Sequence, residues 1–441
     1  MAKKTARAVA ADALTGWQAG GIWSAKKLNE AIGQNELDSR DTALCIYLCN
    51  GVIQNAYLLD YHISAHSKIR INKLENRVHA LLRLGAFQLL FAESIPKSAA
   101  VNETVALCRA KNERSSGYVN AVLRGIAQIS DPYFVDAGDD MERISIRYSH
   151  PRWICDEIYD ILGDGSERAI AENNSAPPVT IQVNTLRCTA EELAGMLEES
   201  GISVVRHGFL RDALELRGTG NISRLPAYRQ GLFWVQDTAS MLSVKALAPK
   251  AGDKILDICA APGGKSFAAA VLSGGKAEVV SCDISEKKLA LVRHGAKRMK
   301  LKIKTALNDA KEFNPEFEAY FDKVICDVPC SGLGIIRKKP DIRYKDRESV
   351  LSLPGLQLEI LETAKRYLKA GGELVYSTCT WRDAENRETV EKFIKNNPEF
   401  CTRVINISTK IEHKAENMVT LWPHLDGTDG FFICHMRKND V

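Results

Sequence analysis

The chain has 441 residues, 45% of them hydrophobic and 26% charged, with a formal net charge of +4. A chain this long exceeds one ordinary core, so two or three soluble domains are expected. No window approaches the ~18 consecutive apolar residues of a membrane span, and the opening MAKKTARAVAADAL holds no apolar export segment, so a membrane role is not expected and the cytoplasm is the expected location.

Residues 4–128 carry the helical period. ARAVAADALTGWQAG and ENRVHALLRLGAFQLLFAE place apolar side chains at i, i+3, i+4 and i+7. SAAVNETVALCRAK opens on Ser98 as a candidate N-cap and ends in basic residues, and GYVNAVLRGIAQI is a further short amphipathic helix. An all-α domain of about five or more helices is expected over residues 1–130. It holds 16 Lys and Arg against 10 Asp and Glu, whereas the remainder holds 43 against 45. Such an excess suits a surface facing phosphates, and a solvated helical face reads the same way. Nothing in this stretch resembles a catalytic constellation.

ISDPYFVDAGDD, residues 129–140, breaks the period and reads as a linker. HPRWICDEIYDILG is a helix between Pro151 and Gly163. SAPPVTIQVNTLRC leads into a strand, and TAEELAGMLEESG is a helix with Thr189 and Glu192 at capping-box spacing. ISVVRHG, DALELRG and GLFWVQD are short strands. A linker and small α+β module are expected over residues 131–235.

From about residue 240 strands and helices alternate. DKILDICAAPGGKSFAAAVL and AEVVSCDISEKKLALVRHGAKRM are two strand–helix units, followed by the strands in IKTALNDA and FDKVICDVPC. LQLEILETAKRYLKAGGELVYSTCTW is helix then strand, and MVTLWPHLDGTDGFFICHMRK supplies two antiparallel edge strands. Residues 236–441 are therefore expected to form an α/β Rossmann-like domain with a seven-stranded, mostly parallel sheet. Ligands of such sheets sit outside the carboxyl ends of the strands.

Three of those ends carry residues suited to an adenosine. ILDICAAPGGKS puts Gly263 and Gly264 between a strand and a helix N-terminus, where backbone can approach a ligand. It matches neither G-x-G-x-x-G nor the phosphate-wrapping G-x-x-x-x-G-K-[ST]. Asp283 ends the second strand, placed to accept ribose hydroxyls, and Asp309 follows the third, placed for an adenine amino group. Each aspartate alone reads equally as a helix N-cap.

The twelve cysteines include no C-x-x-C pair and are expected to be free thiols, mostly buried and inert. Cys330 in DVPCSG and Cys379 in YSTCTW differ, because each follows the tip of an apolar strand. The nine histidines have no metal-ligand spacing, and no metal is expected.

DICAAPGGKS, DVPCSGLG, RKKPDIRY and YSTCTWRDAENRETV resemble the motifs of the S-adenosylmethionine-dependent RNA cytosine-C5 methyltransferases. SRDTALCIYLCNGV, INKLENRVHALLRLGAFQLLF, AVNETVALCRA and GYVNAVLRGI resemble the NusB-like RNA-binding domain. HPRWICDEIY, IQVNTLR and FWVQDTASML resemble the segment that precedes the catalytic domain. Together they are similar, over nearly the whole chain, to bacterial 16S rRNA cytosine-C5 methyltransferases of the RsmB (Sun) type. The resemblance implies that Cys259, Ala260, Ala261, Pro262, Gly263, Gly264 and Lys265 line an S-adenosylmethionine site. It implies that Asp283 holds the ribose, Asp309 the adenine, and that Asp327 lies between cofactor and base. It makes Cys379 the nucleophile and Cys330 the thiol that helps release the product. The partner implied is RNA, 16S rRNA or its small-subunit precursor, with no membrane and no metal, and the chain is expected to be a monomer. Arg337, Lys338 and Lys339 read either as phosphate contacts or as a solvated loop.

Three rival readings differ in testable ways. A non-catalytic NusB-like RNA-binding factor predicts a degraded catalytic half, whereas both thiols and all three carboxylates are present here. A tRNA cytosine-C5 methyltransferase is disfavoured only by the helical N-terminal resemblance. A small-molecule methyltransferase or dehydrogenase needs neither paired cysteines nor a basic helical arm.

Overall fold

The structure, a computed structural model, describes residues 4–20 and 25–440. Residues 1–3, part of the opening read above for an export segment, and residues 21–24, inside the stretch read as helical, lie outside the described residues. The chain divides into two compact units, Met1–Asn174 with Lys339–Tyr344, and Ser175–Lys338 with Lys345–Val441. Among the described residues no single helix is long and apolar enough to cross a membrane.

The first unit is helical. Ala6–Gln18, Ala25–Gln34, Ser39–Gln54, Ala56–His66, Asn76–Phe91, Lys97–Arg109 and Glu113–Ile126 are followed by Asp140–Arg147, Arg152–Leu162 and Ser166–Glu172. Asn76–Phe91 is buried without interruption from Val78 to Leu89, so it is the central helix around which the others pack. Of its buried polar side chains, His79 and Arg83 are satisfied by Asp60 of the neighbouring helix, and Gln88 by Arg7 and the Leu84 carbonyl. Thr5, Asp38 and Asn112 each cap a helix by accepting a backbone N–H. Ser98 does not cap: Pro96 holds the N-cap position and Ser98 lies inside the first turn. The segment read as a linker runs directly into the helix Asp140–Arg147, which Asp139 caps.

Among the described residues the second unit holds three sheets. β1 (Val179–Val183), β2 (Ser203–Arg206), β3 (Ala213–Arg217) and β4 (Phe233–Val235) pair antiparallel in the order β2-β3-β1-β4. The helix Ala190–Glu199 covers this sheet's core and opens with the Thr189–Glu192 capping box. The large sheet contains β5 (Lys254–Asp257), β6 (Glu278–Asp283), β7 (Ile303–Leu307), β8 (Phe321–Asp327) and β9 (Leu368–Thr378), all parallel to one another. β10 (Phe400–Arg403), β13 (Met418–Leu421) and β14 (Phe431–Lys438) complete it, and β11 (Ile405–Ser408) and β12 (Glu412–Glu416) form a separate hairpin.

The large sheet has eight strands, in the order β10-β14-β9-β8-β5-β6-β7 with β13 on β14, and not the seven expected. The extra strand exists because β14 is long enough to share its outer edge. Phe431–Cys434 pair with β13 and His435–Lys438 with β10. Successive residues along the strands face opposite sides. Ile255, Ile325, Val375 and Ile433 pack under the helices Thr238–Leu247, Gly264–Leu272 and Glu286–Met299. Leu256, Val324, Leu374 and Phe432 pack under Leu353–Tyr367 and Arg387–Asn396. The chain leaves β5 in one direction for β6 and β7, then returns to its other side for β8, so the strand order switches between β5 and β8. That switch opens a crevice at the carboxyl ends.

Candidate active site

The loop after β5 is folded tightly. Ala260 N–H donates to Cys282 O at 2.8 Å and Gly263 N–H to Ala260 O at 2.7 Å. Gly263 sits at φ +110°, where a Cβ would overlap the Phe267 ring, so the turn requires glycine. It leads into the N-terminus of Gly264–Leu272.

Two cavities flank this loop. One, of about 470 Å³, is lined by Cys259, Ala261, Asp283, Asp309 and Asp327, with Ile258, Ile284, Val328 and Leu356 as apolar walls. The other, of about 200 Å³, is lined by Ala260, Pro262, Gly264, Lys265, Asp257, Gln236 and Ser240. Cys259, Ala261 and Asp327 border both. Neither Asp283 nor Asp309 is a helix N-cap. Each accepts a backbone N–H two residues on, from Ser285 and Lys311, both at 3.0 Å.

Asp327 ends β8 with both oxygens engaged. Oδ2 accepts from Lys265 Nζ at 2.6 Å and Oδ1 from Ser377 Oγ at 2.9 Å. Lys265 Nζ also donates to Ser240 Oγ at 3.0 Å. Beneath them Asp257, 1% exposed, accepts from Ser266 Oγ at 2.7 Å through Oδ2. Its Oδ1 is buried with no hydrogen-bond partner. Burial pushes this carboxyl up to about 7.

The thiols of Cys330 and Cys379, both half-buried, meet with their sulfurs 3.2 Å apart. β8 and β9 are adjacent and parallel, with Asp327 opposite Ser377, so the residues beyond their ends are brought together. The hydrogen bond with Cys379 and burial raise the Cys330 thiol well above its ordinary range, with the nearby charges of Glu385 and Asp327 acting the same way.

The probable ribosomal RNA small subunit methyltransferase B of Bacillus subtilis (strain 168) is 35% identical to this chain over 448 residues, covering 99% of this chain and all of that protein. The chain belongs to the RsmB/F family of 16S rRNA methyltransferases. The family model described as 16S rRNA methyltransferase RsmB/F matches residues 244–437, that of the NusB family residues 4–128, and that of the RsmF/B-like ferredoxin-like domain residues 150–223. Ribosomal RNA small subunit methyltransferase B of Vibrio cholerae is 33% identical over 92% of this chain and 91% of its own length. Among solved structures, PH0851 superposes with a TM-score of 0.81 at 26% identity over 99% of both chains. A methyltransferase homolog from Pyrococcus horikoshii superposes with a TM-score of 0.60 at 26% identity, over 68% of this chain and all of that one.

In this RsmB/F-family chain two basic residues do not stand where the sequence suggested. Arg337 Nε lies 3.1 Å from Asp429 Oδ1, with its side chain 4% exposed, and Lys338 Nζ reaches Asp429 at 2.6 Å and Asp237 at 2.8 Å. Arg337 is thus buried in an ion pair and is not an open phosphate contact, whereas Lys338, though paired with two carboxylates, remains exposed, as does Lys339. Sequence reasoning missed Asp257, Ser377 and the pairing of Lys265 with Asp327. The serine in STC, two residues before Cys379, was the one available signal for Ser377.

Proposed function

We propose that this methyltransferase transfers a methyl group from S-adenosylmethionine to C5 of a cytosine in small-subunit rRNA, through a covalent bond between Cys379 and C6. The observation that carries the reading is the pair of thiols just beyond the ends of β8 and β9, with Cys330 three residues on from Asp327, which itself borders a crevice that fits the cofactor. The fit rests on the donor set: Asp283 and Asp309 for ribose and adenine, apolar walls between them, and the unpartnered Asp257 Oδ1 in the adjoining cavity for a cationic amino group. When bound, the cofactor supplies the electrophilic sulfonium methyl that the activated C5 takes.

C5 of cytosine belongs to an aromatic ring and is a poor nucleophile. Addition of the Cys379 thiolate at C6 breaks the aromaticity, and the C5–C6 π electrons become available at C5. A proton at N3 favours the addition. Asp327 is the group assigned to N3, and the Lys265 ammonium beside it supplies the proton. After methylation the C5 proton passes to water, N3 gives its proton back through Asp327 to Lys265, the C5–C6 double bond reforms, and the Cys379 sulfur departs with the electrons of the C–S bond. Cys330, held protonated, donates its S–H toward the Cys379 sulfur and assists that departure. Because the target must enter a crevice, it is unstacked or single-stranded when it reacts.

In this reading residues 1–130 bind RNA, 131–235 form a connecting module and 236–441 carry the chemistry, in a cytoplasmic monomer. The test is an RNA containing 5-fluorocytosine, whose adduct cannot lose a C5 proton. Mass spectrometry of the trapped complex is expected to find the base on Cys379, with no complex from Cys379→Ala. Full turnover by Cys379→Ala would overturn the reading.

A further inference from the structure

The loop that carries Cys330 is held on both sides by one buried carboxylate. Glu385 lies on the turn Asp383–Glu385, beyond Cys379, and is fully buried. Its Oε2 accepts from Ser331 N–H at 2.8 Å and from Gln357 Nε2 at 3.0 Å. The same Gln357 amide donates to Pro329 O at 3.0 Å. The peptide groups before and after Cys330 are thus both tied, one through Gln357 and one directly, to Glu385. Arg382 faces the other oxygen at 3.3 Å and supplies the counter-charge. Ser331 Oγ donates to Thr380 Oγ1 at 2.9 Å, joining the loop to the residue after Cys379.

Glu385 lines neither cavity. Burying a carboxylate is costly, and an apolar residue would close a turn at lower cost if closure were the only need. Every donor that offsets the cost here belongs to the Cys330 loop, to the helix residue that holds that loop, or to the turn after Cys379.

We propose that Glu385 is a positioning residue for Cys330: with Gln357 it fixes the backbone on either side of that cysteine and so sets its thiol against Cys379. The inference rests on the reading above, in which Cys330 serves the release step. It assigns Glu385 to that step and not to the first addition. The negative charge of Glu385 also acts, after the Cys379 hydrogen bond and burial, to keep the Cys330 thiol protonated.

The test compares the full-length wild type, Cys330→Ala, Glu385→Ala, Glu385→Gln and Gln357→Leu on an in vitro transcript of 16S rRNA with S-adenosylmethionine. RNA-linked protein on denaturing gels is read together with kcat and KM. Glu385→Ala is expected to accumulate RNA-linked protein as Cys330→Ala does, with kcat lower by about 100-fold and KM for RNA little changed. Glu385→Gln restores much of the turnover, because an amide oxygen still accepts from Ser331 N–H. Should Glu385→Ala fail to fold, Gln357→Leu removes the Pro329 tie and the Gln357 hydrogen bond to Glu385 while leaving Ser331 N–H on the carboxylate, and is expected to accumulate adduct as well. Normal turnover in these variants, or loss of adduct together with turnover, overturns the inference. Absence of adduct from Cys330→Ala itself overturns the reading beneath it, a distinct outcome.

Discussion

The sulfurs of Cys330 and Cys379 lie 3.2 Å apart although 49 residues separate them in the chain. The sheet makes this meeting: β8 and β9 run side by side in the same direction, so whatever follows their carboxyl ends is juxtaposed. Glu385 and Gln357 hold one of the two loops, and Gly334, whose N–H donates to Cys379 O at 3.0 Å, ties it to the other.

Two thiols this close oxidise to a disulfide when a peroxide accepts their two electrons, the sulfurs losing two protons and the peroxide leaving as water. Mild hydrogen peroxide is therefore expected to join Cys330 to Cys379, stop methyl transfer, and be reversed by dithiothreitol. Peptide mapping under non-reducing conditions reads the cross-link. Inactivation that tracks oxidation of exposed Cys401 instead would contradict it.

Gly334 is pressed between two backbones. Its carbonyl accepts from Gly430 N–H at 2.9 Å, and a Cβ would overlap the Gly430 carbonyl and crowd that of Cys379. Neither can move as a side chain moves. Gly334→Ala is expected to cost about 1–3 kcal/mol of stability and on the order of 100-fold in single-turnover rate. Gly355→Ala is the control. That glycine lies in the helix Leu353–Tyr367 with nothing within 4 Å of a Cβ, so the change is expected to stabilise by about 0.5–1 kcal/mol. Equal rates in the two variants would remove the role given to Gly334.

Asp257 makes stability depend on pH with a definite sign. Burial lifts its folded carboxyl to about 7, against the hydrogen bond from Ser266 and the charge of Lys265, which pull it down. An unfolded aspartate titrates near ~3.9. The folded state thus binds the proton more tightly. Its contribution is complete at pH ~4 and is lost as pH rises to ~7, a change on the order of 4 kcal/mol. Asp257→Asn carries no such titration. Thermal melts should show wild type losing ground to Asp257→Asn between pH 5 and 7.5 (about the window set by the two titrations). A wild type that gains ground over that range would refute the assignment.

The strand tips were legible because β–α alternation fixes which strand ends face the crevice, whatever side chains they carry. On that rule Asp283 and Asp309 line the larger cavity, and the two thiols meet beyond adjacent strand ends. What escaped depends on partners far along the chain. Arg337 and Lys338 read as a basic run until Asp429 and Asp237, 91 and 101 residues from Lys338, arrive beside them. Asp257 reads as the end of an apolar strand, and its isolation appears only when the sheet and the helix Gly264–Leu272 close over it. The eighth strand, FCTR, buries Phe400 and leaves Cys401 exposed, too short an alternation to register as a strand. Glu385 sits inside a quoted motif, yet nothing in the sequence marks it as the anchor of a loop 54 residues earlier.

RKKPDIRY hides a last role in its second arginine. Arg343 belongs to the helical unit and is fully buried there. Its Nη1 donates to the carbonyls of Gln54, Tyr148 and Ser149 at 3.0, 3.1 and 3.2 Å, and its Nε to Pro340 O at 3.1 Å. Gln54 ends the helix Ser39–Gln54 and Tyr148 is the C-cap of Asp140–Arg147. Carbonyls at helix C-termini lack intrahelical donors and carry the negative end of the macrodipole, so one guanidinium satisfies two helix ends at once. Burial lowers its pKa to about 10, which still leaves it charged at neutral pH. Tyr344 extends the anchor, donating to Ile53 O at 2.7 Å and packing between Trp17 and Tyr57. Arg343→Ala is expected to destabilise the helical unit by about 3–5 kcal/mol, because several buried carbonyls lose their donor together. Arg343→Lys should recover less than half, since an ammonium lacks the planar fork that spans separated acceptors. Urea denaturation followed by circular dichroism measures both. A loss below about 0.5 kcal/mol for Arg343→Ala, or full rescue by lysine, would show that these carbonyls find other donors.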